Sequence, residues 1–478
     1  MSAYLSVIDN NLHEVAVAGR GYIFHIPSTS LFEADGLTRD ILATLREKKR
    51  HNRASLTRAL ADRYPADSVH SALGELQSLD LVGGNVVAAP AVRQFELEQF
   101  PLTTVVLNVN TGCNLSCTYC YKEDLDVPSA GKKMDFNTAR DAVEMLLAES
   151  PDQPRYNIVF FGGEPLSNME LIKQVISYAE PRFASIGKVI DFSLTTNATL
   201  LNERKVDYLN AHNVGIAVSM DGPAAYHDRN RITVGGKGTY EVVARKVKML
   251  LSRYNARPVG ARVTLTKGIT DVELIWDHLF NTLGFHEVGF APVTSGDLTT
   301  YNLSNEELAA VFSNMKKLGE KYLEAALQDR SIGFSNMHQL LTDIHEGTKK
   351  ALPCGAGVGL VAIDEAGDVN LCHRFTGSDL PRFGNVKSGL DKSGLNQFIN
   401  QRMEQKELGC NSCRIRNLCA GGCYHESYAR YGDPAKPTFH YCDLLRDWVD
   451  FGIAVYTRIQ DGNPGFFSRY LSPRRAQS

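Results

Sequence analysis

Cys113, Cys117 and Cys120 stand in the run Cys113-Asn114-Leu115-Ser116-Cys117-Thr118-Tyr119-Cys120, directly after an apolar stretch. Three thiolates on one short loop hold three corners of a cubane iron–sulfur cluster and leave the fourth iron open. An open iron is a reaction site, whereas structural zinc takes four protein ligands. Spacing alone leaves a zinc loop or three unrelated buried thiols as alternatives. The remaining cysteines, Cys354, Cys372, Cys410, Cys413, Cys419, Cys423 and Cys442, form a second group.

The 478 residues carry a net charge of −3, which gives no global signal for nucleic acid or a membrane surface. No run of about 18 apolar residues exists to cross a bilayer. Met1-Ser2-Ala3-Tyr4-Leu5 has neither a basic start nor an apolar signal core, so a cytoplasmic protein is expected. Cysteines clustered in a reducing compartment bind metal rather than form disulfides.

From residue 102 strands and helices alternate. Apolar runs at Thr104–Val109, Asn157–Phe161, Val189–Leu194, Gly215–Ser219, Gly260–Thr266 and Glu287–Ala291 read as six strands with amphipathic stretches between them. That pattern predicts an α/β fold, a partial (β/α)6 barrel over 102–300, with reactive groups at the C-terminal strand ends. The cysteine loop, Gly162-Gly163-Glu164-Pro165, Thr195-Thr196-Asn197 and Ser219-Met220-Asp221-Gly222-Pro223 all fall there. Residues 301–349 read as a helical linker leading away from the barrel, 350–445 as a glycine-rich cysteine domain, and 446–478 as a helix with a mobile tail.

Residues 1–95 read as a separate unit: a hairpin from His13–Val17 and Tyr22–Ile26, three helices, and a turn at Val82–Val86. This is a winged-helix-like pattern. Its first 90 residues hold nine Lys/Arg against ten Asp/Glu, whereas a DNA reader is usually basic. The basic run Arg46–Arg53 keeps a metal-stabilised DNA-binding regulator as a distant alternative.

Cys-x3-Cys-x2-Cys after the first strand, with Gly162-Gly163-Glu164-Pro165 after the second, resembles the radical S-adenosylmethionine superfamily. The resemblance implies that Cys113, Cys117 and Cys120 hold a [4Fe–4S] cluster whose open iron binds S-adenosylmethionine, cleaved by one electron to a 5′-deoxyadenosyl radical. By the same resemblance Tyr119 packs on adenine, and Gly162, Gly163 and Glu164 receive the methionyl amino group. Asn197 and Ser219 contact ribose, and Arg231 pairs with the cofactor carboxylate.

The seven later cysteines resemble the SPASM extension of radical enzymes that modify peptides. This implies two auxiliary [4Fe–4S] clusters, three clusters in all. Cys410, Cys413, Cys419 and Cys442 close one; Cys354, Cys372 and Cys423 hold the other. The stretch Gly355-Ala356-Gly357-Val358-Gly359-Leu360 lacks the further cysteine that completes this cluster in relatives, so a substrate thiolate or an unidentified residue would fill the corner. Sulfatase maturases place aspartate after the cysteine matching Cys372. Here His373 stands instead, a candidate proton acceptor near neutral pH.

Small winged-helix-like units before radical maturases resemble leader-peptide recognition domains, which add a peptide strand to their own sheet. Tyr22–Phe32, Thr104–Val109 and Asn114–Tyr121 together resemble the maturases of quinohemoprotein amine dehydrogenase. That resemblance implies thioether cross-links from cysteine sulfur to an Asp/Glu methylene carbon in a small, cysteine-rich subunit, with ferredoxin or flavodoxin as electron donor. Holding sulfur and carbon together supplies roughly 7–11 kcal/mol toward coupling. The alternatives are another SPASM peptide maturase forming thioethers on a short peptide, or sulfatase-maturase-like oxidation.

Overall fold

The computed structural model describes residues 4–47, 50–84, 94, 96–121, 131–294, 300–405 and 409–471. The six expected strands run over Thr104–Asn110, Arg155–Gly162, Val189–Thr196, Gly215–Ser219, Gly260–Leu265 and Glu287–Pro292. Each pairs in parallel with the next. Helices Phe136–Glu149, Met169–Ala184, Glu203–Ala211, Tyr240–Arg253 and Val272–Asp277 lie between them. Side-chain caps start several: Asp135 accepts from Thr138 N–H at 2.8 Å, Asn202 from Lys205 N–H at 2.9 Å, and Asp271 from Leu274 N–H at 3.0 Å.

The barrel is open. Its first strand pairs on the outside with Leu360–Ile363, which runs parallel to it, and Val369–Asn370 continues antiparallel. Sequence reading left these two strands inside a glycine-rich cysteine domain. The structure joins that domain to the barrel sheet, because Leu360-Val361-Ala362-Ile363 is a short apolar run that only a neighbouring strand can satisfy.

The expected linker does not lead away. Helix Asn305–Leu327 packs on helices Val272–Asp277 and Cys442–Gly462, and helix Ser335–His345 packs on the last barrel strand. Val288 N–H donates to Gly333 O at 2.8 Å. The Asn336 side chain accepts from Phe290 N–H at 2.9 Å and donates to Phe290 O at 2.9 Å. These bonds cover a sheet edge that would otherwise be unpaired.

The N-terminal unit has its own core, including Leu12, Ile23, Ile41, Leu42, Leu56, Val69, Leu73 and Leu76. Its hairpin is one part of a three-stranded antiparallel sheet, Leu12–Val17, Arg20–His25 and Ser30–Ala34. The third strand escaped sequence reading because Ser28-Thr29-Ser30 reads as a turn, and Thr29 does take a positive φ of 56°. Helices Gly36–Arg46, Arg53–Ala59 and Ala66–Ser78 follow, and Val82–Gly83 pairs with Ser6–Val7. The end of the expected turn, Asn85 and Val86, lies outside the described residues, as do Lys48 and Lys49 of the basic run and 472–478 of the expected mobile tail.

Phe24 and Ile26 of this unit pack into the core of the main body instead. His13 Nε2 lies 2.9 Å from Asp450 Oδ1 on helix Cys442–Gly462, and Arg20 pairs with Asp461 on the same helix. Arg416 donates to Asn10 O at 2.9 Å and Asn417 to Ile26 O at 2.7 Å. No described helix is long and apolar enough to cross a membrane.

Candidate active site

The turn after the first strand is shaped before the cysteines begin. Asn110 accepts from Gly112 N–H at 3.1 Å and donates to Gly112 O at 2.9 Å and to Ser167 Oγ at 2.6 Å. Backbone bonds then strap the loop to the segment after helix Ala224–Asn230. Ser116 N–H reaches Ile232 O at 2.9 Å, and Thr118 N–H reaches Asn230 O at 3.0 Å. Cys113, Cys117 and Cys120 are held at the wall of a cavity of about 410 Å³.

Gly162-Gly163 crosses over this turn at close range. Gly163 N–H donates to Asn110 O at 2.7 Å, and Glu164 N–H to Gly112 O at 3.2 Å. A Cβ on Gly163 would lie 2.0 Å from Gly112 O, and one on Gly162 2.3 Å from Asn110 O. Glycine is required here by backbone against backbone. Both glycines line the cavity.

Glu164 does not line it. Its side chain is fully buried beneath the rim and accepts from Leu166 N–H at 3.1 Å, Thr196 Oγ1 at 2.7 Å and Asn197 N–H at 2.8 Å. Burial raises its pKa, and these three bonds act against that rise. The carboxylate ties the second strand end to the third.

Asn197 and Ser219 line the cavity. The Asn197 amide also reaches back to the cysteine loop, donating to Asn114 Oδ1 at 3.0 Å and toward Cys113 Sγ at 3.7 Å. Leu115 N–H points at the same sulfur at 3.4 Å. Donors aimed at a sulfur suit a thiolate metal ligand. Burial pushes the Cys113 and Cys117 thiols up, Cys117 to about 11, and coordination to a metal reverses that preference.

Tyr119 and Arg231 share one partner that sequence reading did not single out as a site residue. Arg231 grips Asp221 with two bonds of 2.8 and 3.1 Å, and Tyr119 OH donates to Asp221 Oδ2 at 2.7 Å. The guanidinium carbon stands 5.4 Å from the Tyr119 ring centre. Asp221 also accepts from Thr264 N–H at 2.9 Å. The signal was present in Asp221-Gly222-Pro223 at a strand end.

The later cysteines separate into two neighbourhoods. Cys354, Cys372 and Cys423 feel one another's charge. Cys442 feels Cys419, Cys410 and Cys413. Burial pushes Cys372 up to about 12 and Cys442 to about 11. Among the described residues no three His, Cys, Asp or Glu side chains close on a single metal ion, and a cubane, being larger, holds its thiolates farther apart than one ion does. A donor set of thiolates alone suits iron–sulfur clusters.

His373 sits between the cysteine regions, its ring 4.1 Å from Phe161 and 6.4 Å from Tyr121. Tyr121 and Arg374, which sequence reading did not single out, line the cavity there with Arg374 5.1 Å from the Tyr121 ring.

A family model described as the Radical SAM superfamily matches residues 107–278. The chain is 24% identical over 368 residues to a cysteine-type anaerobic sulfatase-maturating enzyme of Clostridium perfringens, covering 73% of this chain and 96% of that one. It is 35% identical over 118 residues to an uncharacterized protein of Methanocaldococcus jannaschii, spanning 25% of this chain but 38% of that protein. The solved structure of native anSMEcpe with bound AdoMet and Cp18Cys peptide superposes with a TM-score of 0.62 at 22% identity, over 76% of this chain and 99% of that one. Streptococcus suis SuiB bound to precursor peptide SuiA superposes with a TM-score of 0.50 at 15% identity, over 92% of this chain and 99% of that one. At such identities the likeness is one of fold. Residues 107–278, which match that family model, carry the cysteine motif on an open parallel barrel with the radical SAM α/β fold.

Proposed function

We propose that this protein is a radical S-adenosylmethionine maturase that forms thioether cross-links, from cysteine sulfur to an Asp/Glu methylene carbon, in the small subunit of quinohemoprotein amine dehydrogenase. The observation that supports this reading is the grouping of the ten cysteines as three, three and four: Cys113, Cys117 and Cys120 line the barrel-mouth cavity, and the seven later ones fall into a group of three and a group of four. Two of the sets are one thiolate short of enclosing a cubane. One would hold the S-adenosylmethionine cluster, and the other leaves a corner that suits a substrate thiolate.

Cys113, Cys117 and Cys120 would hold the cluster that binds S-adenosylmethionine. Cys410, Cys413, Cys419 and Cys442 would enclose one auxiliary cluster, with Cys354, Cys372 and Cys423 on the other. When bound, these groups supply a carbon radical able to remove an unactivated hydrogen and a path for the electron released on coupling. The chain's own residues do the positioning. Gly162 and Gly163 keep the floor thin, Asn197 and Ser219 present polar groups to the cavity, and Tyr119 and Arg231 are locked by Asp221. His373 would accept the proton, from a position beside Phe161 and Tyr121.

The N-terminal sheet would receive the substrate as an added strand. The solved complex of SuiB with its precursor peptide SuiA, whose fold covers 92% of this chain, supports a peptide or protein partner. A ferredoxin or flavodoxin would deliver the electron. The full-length relatives that are sulfatase-maturating enzymes support oxidation of a cysteine or serine as the second reading, and His373 in place of aspartate weighs against it.

Mass spectrometry of the cysteine-rich small subunit, co-expressed with this protein, tests the proposal. Each cross-link removes the thiol hydrogen and one carbon-bound hydrogen as the S–C bond forms. The expected result is the mass of two hydrogens lost per cross-link with the wild type and none with Cys113→Ala. A cysteine converted to an aldehyde, with no linkage in tandem spectra, would establish the second reading.

A further inference from the structure

A second cavity of about 810 Å³ lies in the barrel lumen, and its wall shares Thr195 with the cofactor cavity. Along the strand Gly260–Leu265, Ala261, Val263 and Leu265 are buried in the outer core, while Arg262 turns the other way into this lumen. Arg262 stands in register with Ser219 on one side and Gly289 on the other. Ser219 lines the cofactor cavity. Gly289 makes room for the guanidinium: a Cβ there would lie 3.3 Å from Arg262 Nη1 and 3.5 Å from Ser335 Cβ.

Among the described residues no carboxylate lies within ion-pairing distance of Arg262. Of the two arginines lining the cofactor cavity, Arg231 is paired with Asp221, and Arg374 lies beside Tyr121 and His425. Glu287 lines the same cavity two residues before Gly289 and forms no ion pair with Arg262. A guanidinium facing a water-filled lumen is well hydrated. Once a peptide segment fills the lumen, that water leaves, and an unpaired cation becomes strongly unfavourable. An occupant carrying a carboxylate removes the penalty through a bidentate pair.

We propose that Arg262 binds the side-chain carboxylate of the acidic residue whose methylene is modified. This rests on the thioether reading above and adds a specificity-determining contact to it. The fork of Arg262 would hold the carboxylate beside Gly289 in the lumen that shares Thr195 with the cofactor cavity, and an amide or hydroxyl in its place would leave the cation unpaired. Such a site selects Asp or Glu over the neutral targets of the second reading.

The test uses the full-length reconstituted holoenzyme, saturated with S-adenosylmethionine so that the cofactor's own carboxylate is already seated. Phenylglyoxal labels accessible arginines, and peptide mass spectrometry follows the Arg262 peptide. Three probes are compared: N-acetyl-L-glutamate α-amide, N-acetyl-L-glutamine α-amide, and N-acetyl-L-alanine, which carries only a terminal carboxylate. Arg262 is expected to label freely without a probe, and the glutamate probe to slow labelling about tenfold when saturating. The glutamine probe should have no effect, and the alanine probe little. Equal protection by all three, no protection by the glutamate probe, or an Arg262 that never labels overturns the proposal. Protection by the alanine probe alone overturns it too, by assigning the site to a chain terminus. Formation of 5′-deoxyadenosine is measured on the same preparation. Its absence would remove the radical reading while leaving the labelling result to stand on its own.

Discussion

Arg231 and Asp221 form a buried two-bond ion pair, at 2.8 and 3.1 Å, that Tyr119 completes with its hydroxyl. The pair lies at the cavity wall, so Arg231 is already neutralised before any cofactor carboxylate arrives. Through that pair it fixes the aromatic ring and the fourth strand end while still lining the cavity. Losing one member of a buried pair costs about 3–5 kcal/mol because the other charge is stranded. Arg231→Ala and Asp221→Ala should each lower the unfolding midpoint strongly, measured by chemical denaturation. Tyr119→Phe should cost roughly 1.5–3 kcal/mol, the range for a bond to a charged acceptor.

Gly163→Ala should prevent the cysteine loop from closing. Its Cβ would fall 2.0 Å from Gly112 O, a backbone atom with nowhere to retreat. The expected outcome is loss of iron at Cys113, Cys117 and Cys120, read by metal analysis and visible absorption. Gly74→Ala is the control. It lies inside helix Ala66–Ser78 with nothing within 4 Å of the new Cβ, and should stabilise by about 1 kcal/mol or less.

His227 makes the lobe sensitive to acid. It is fully buried, accepts from Asp221 N–H at 3.4 Å through Nδ1, and meets Thr239 Oγ1 at 3.0 Å through Nε2. Burial, helped by the charge of Arg231, lowers its pKa from 6.5 to about 4. The unfolded chain takes the proton first. The stabilising contribution is whole above pH 6.5 and is lost as pH falls toward 4, by up to about 3 kcal/mol. His227→Gln should flatten the stability profile in that window; an unchanged slope would assign the acid sensitivity to other groups.

Cluster assignments can be counted. A chain with three four-iron clusters binds about twelve irons. Cys354→Ala and Cys410→Ala should each remove about four, and the double variant about eight. Adding a cysteine-containing substrate should alter the electron paramagnetic resonance of the wild type and the Cys410→Ala variant but not of Cys354→Ala.

The barrel was legible because its strands are strongly apolar and its helices amphipathic. Gly215–Ser219 even matches at both ends. The cysteine motif was legible because its spacing is its own signature. Leu360–Ile363 was not, since four residues amid glycines carry no periodicity and acquire meaning only beside Thr104–Asn110. Asn336 was hidden for a different reason: its value lies in a partner, Phe290, that is 46 positions away. Glu164 shows how a motif residue can be found and its surroundings missed. Its position was plain in Gly162-Gly163-Glu164-Pro165, but nothing local indicates that its oxygens face Thr196 and Asn197 rather than the cavity.

Arg416 and Asn417 stand between Cys413 and Cys419, yet their side chains hold Asn10 and Ile26 of the N-terminal unit. The thiol loop and the seat of that unit are thus one piece of chain. A change in how those sulfurs are held is therefore expected to reach, within a residue or two, the side chains that anchor the first domain.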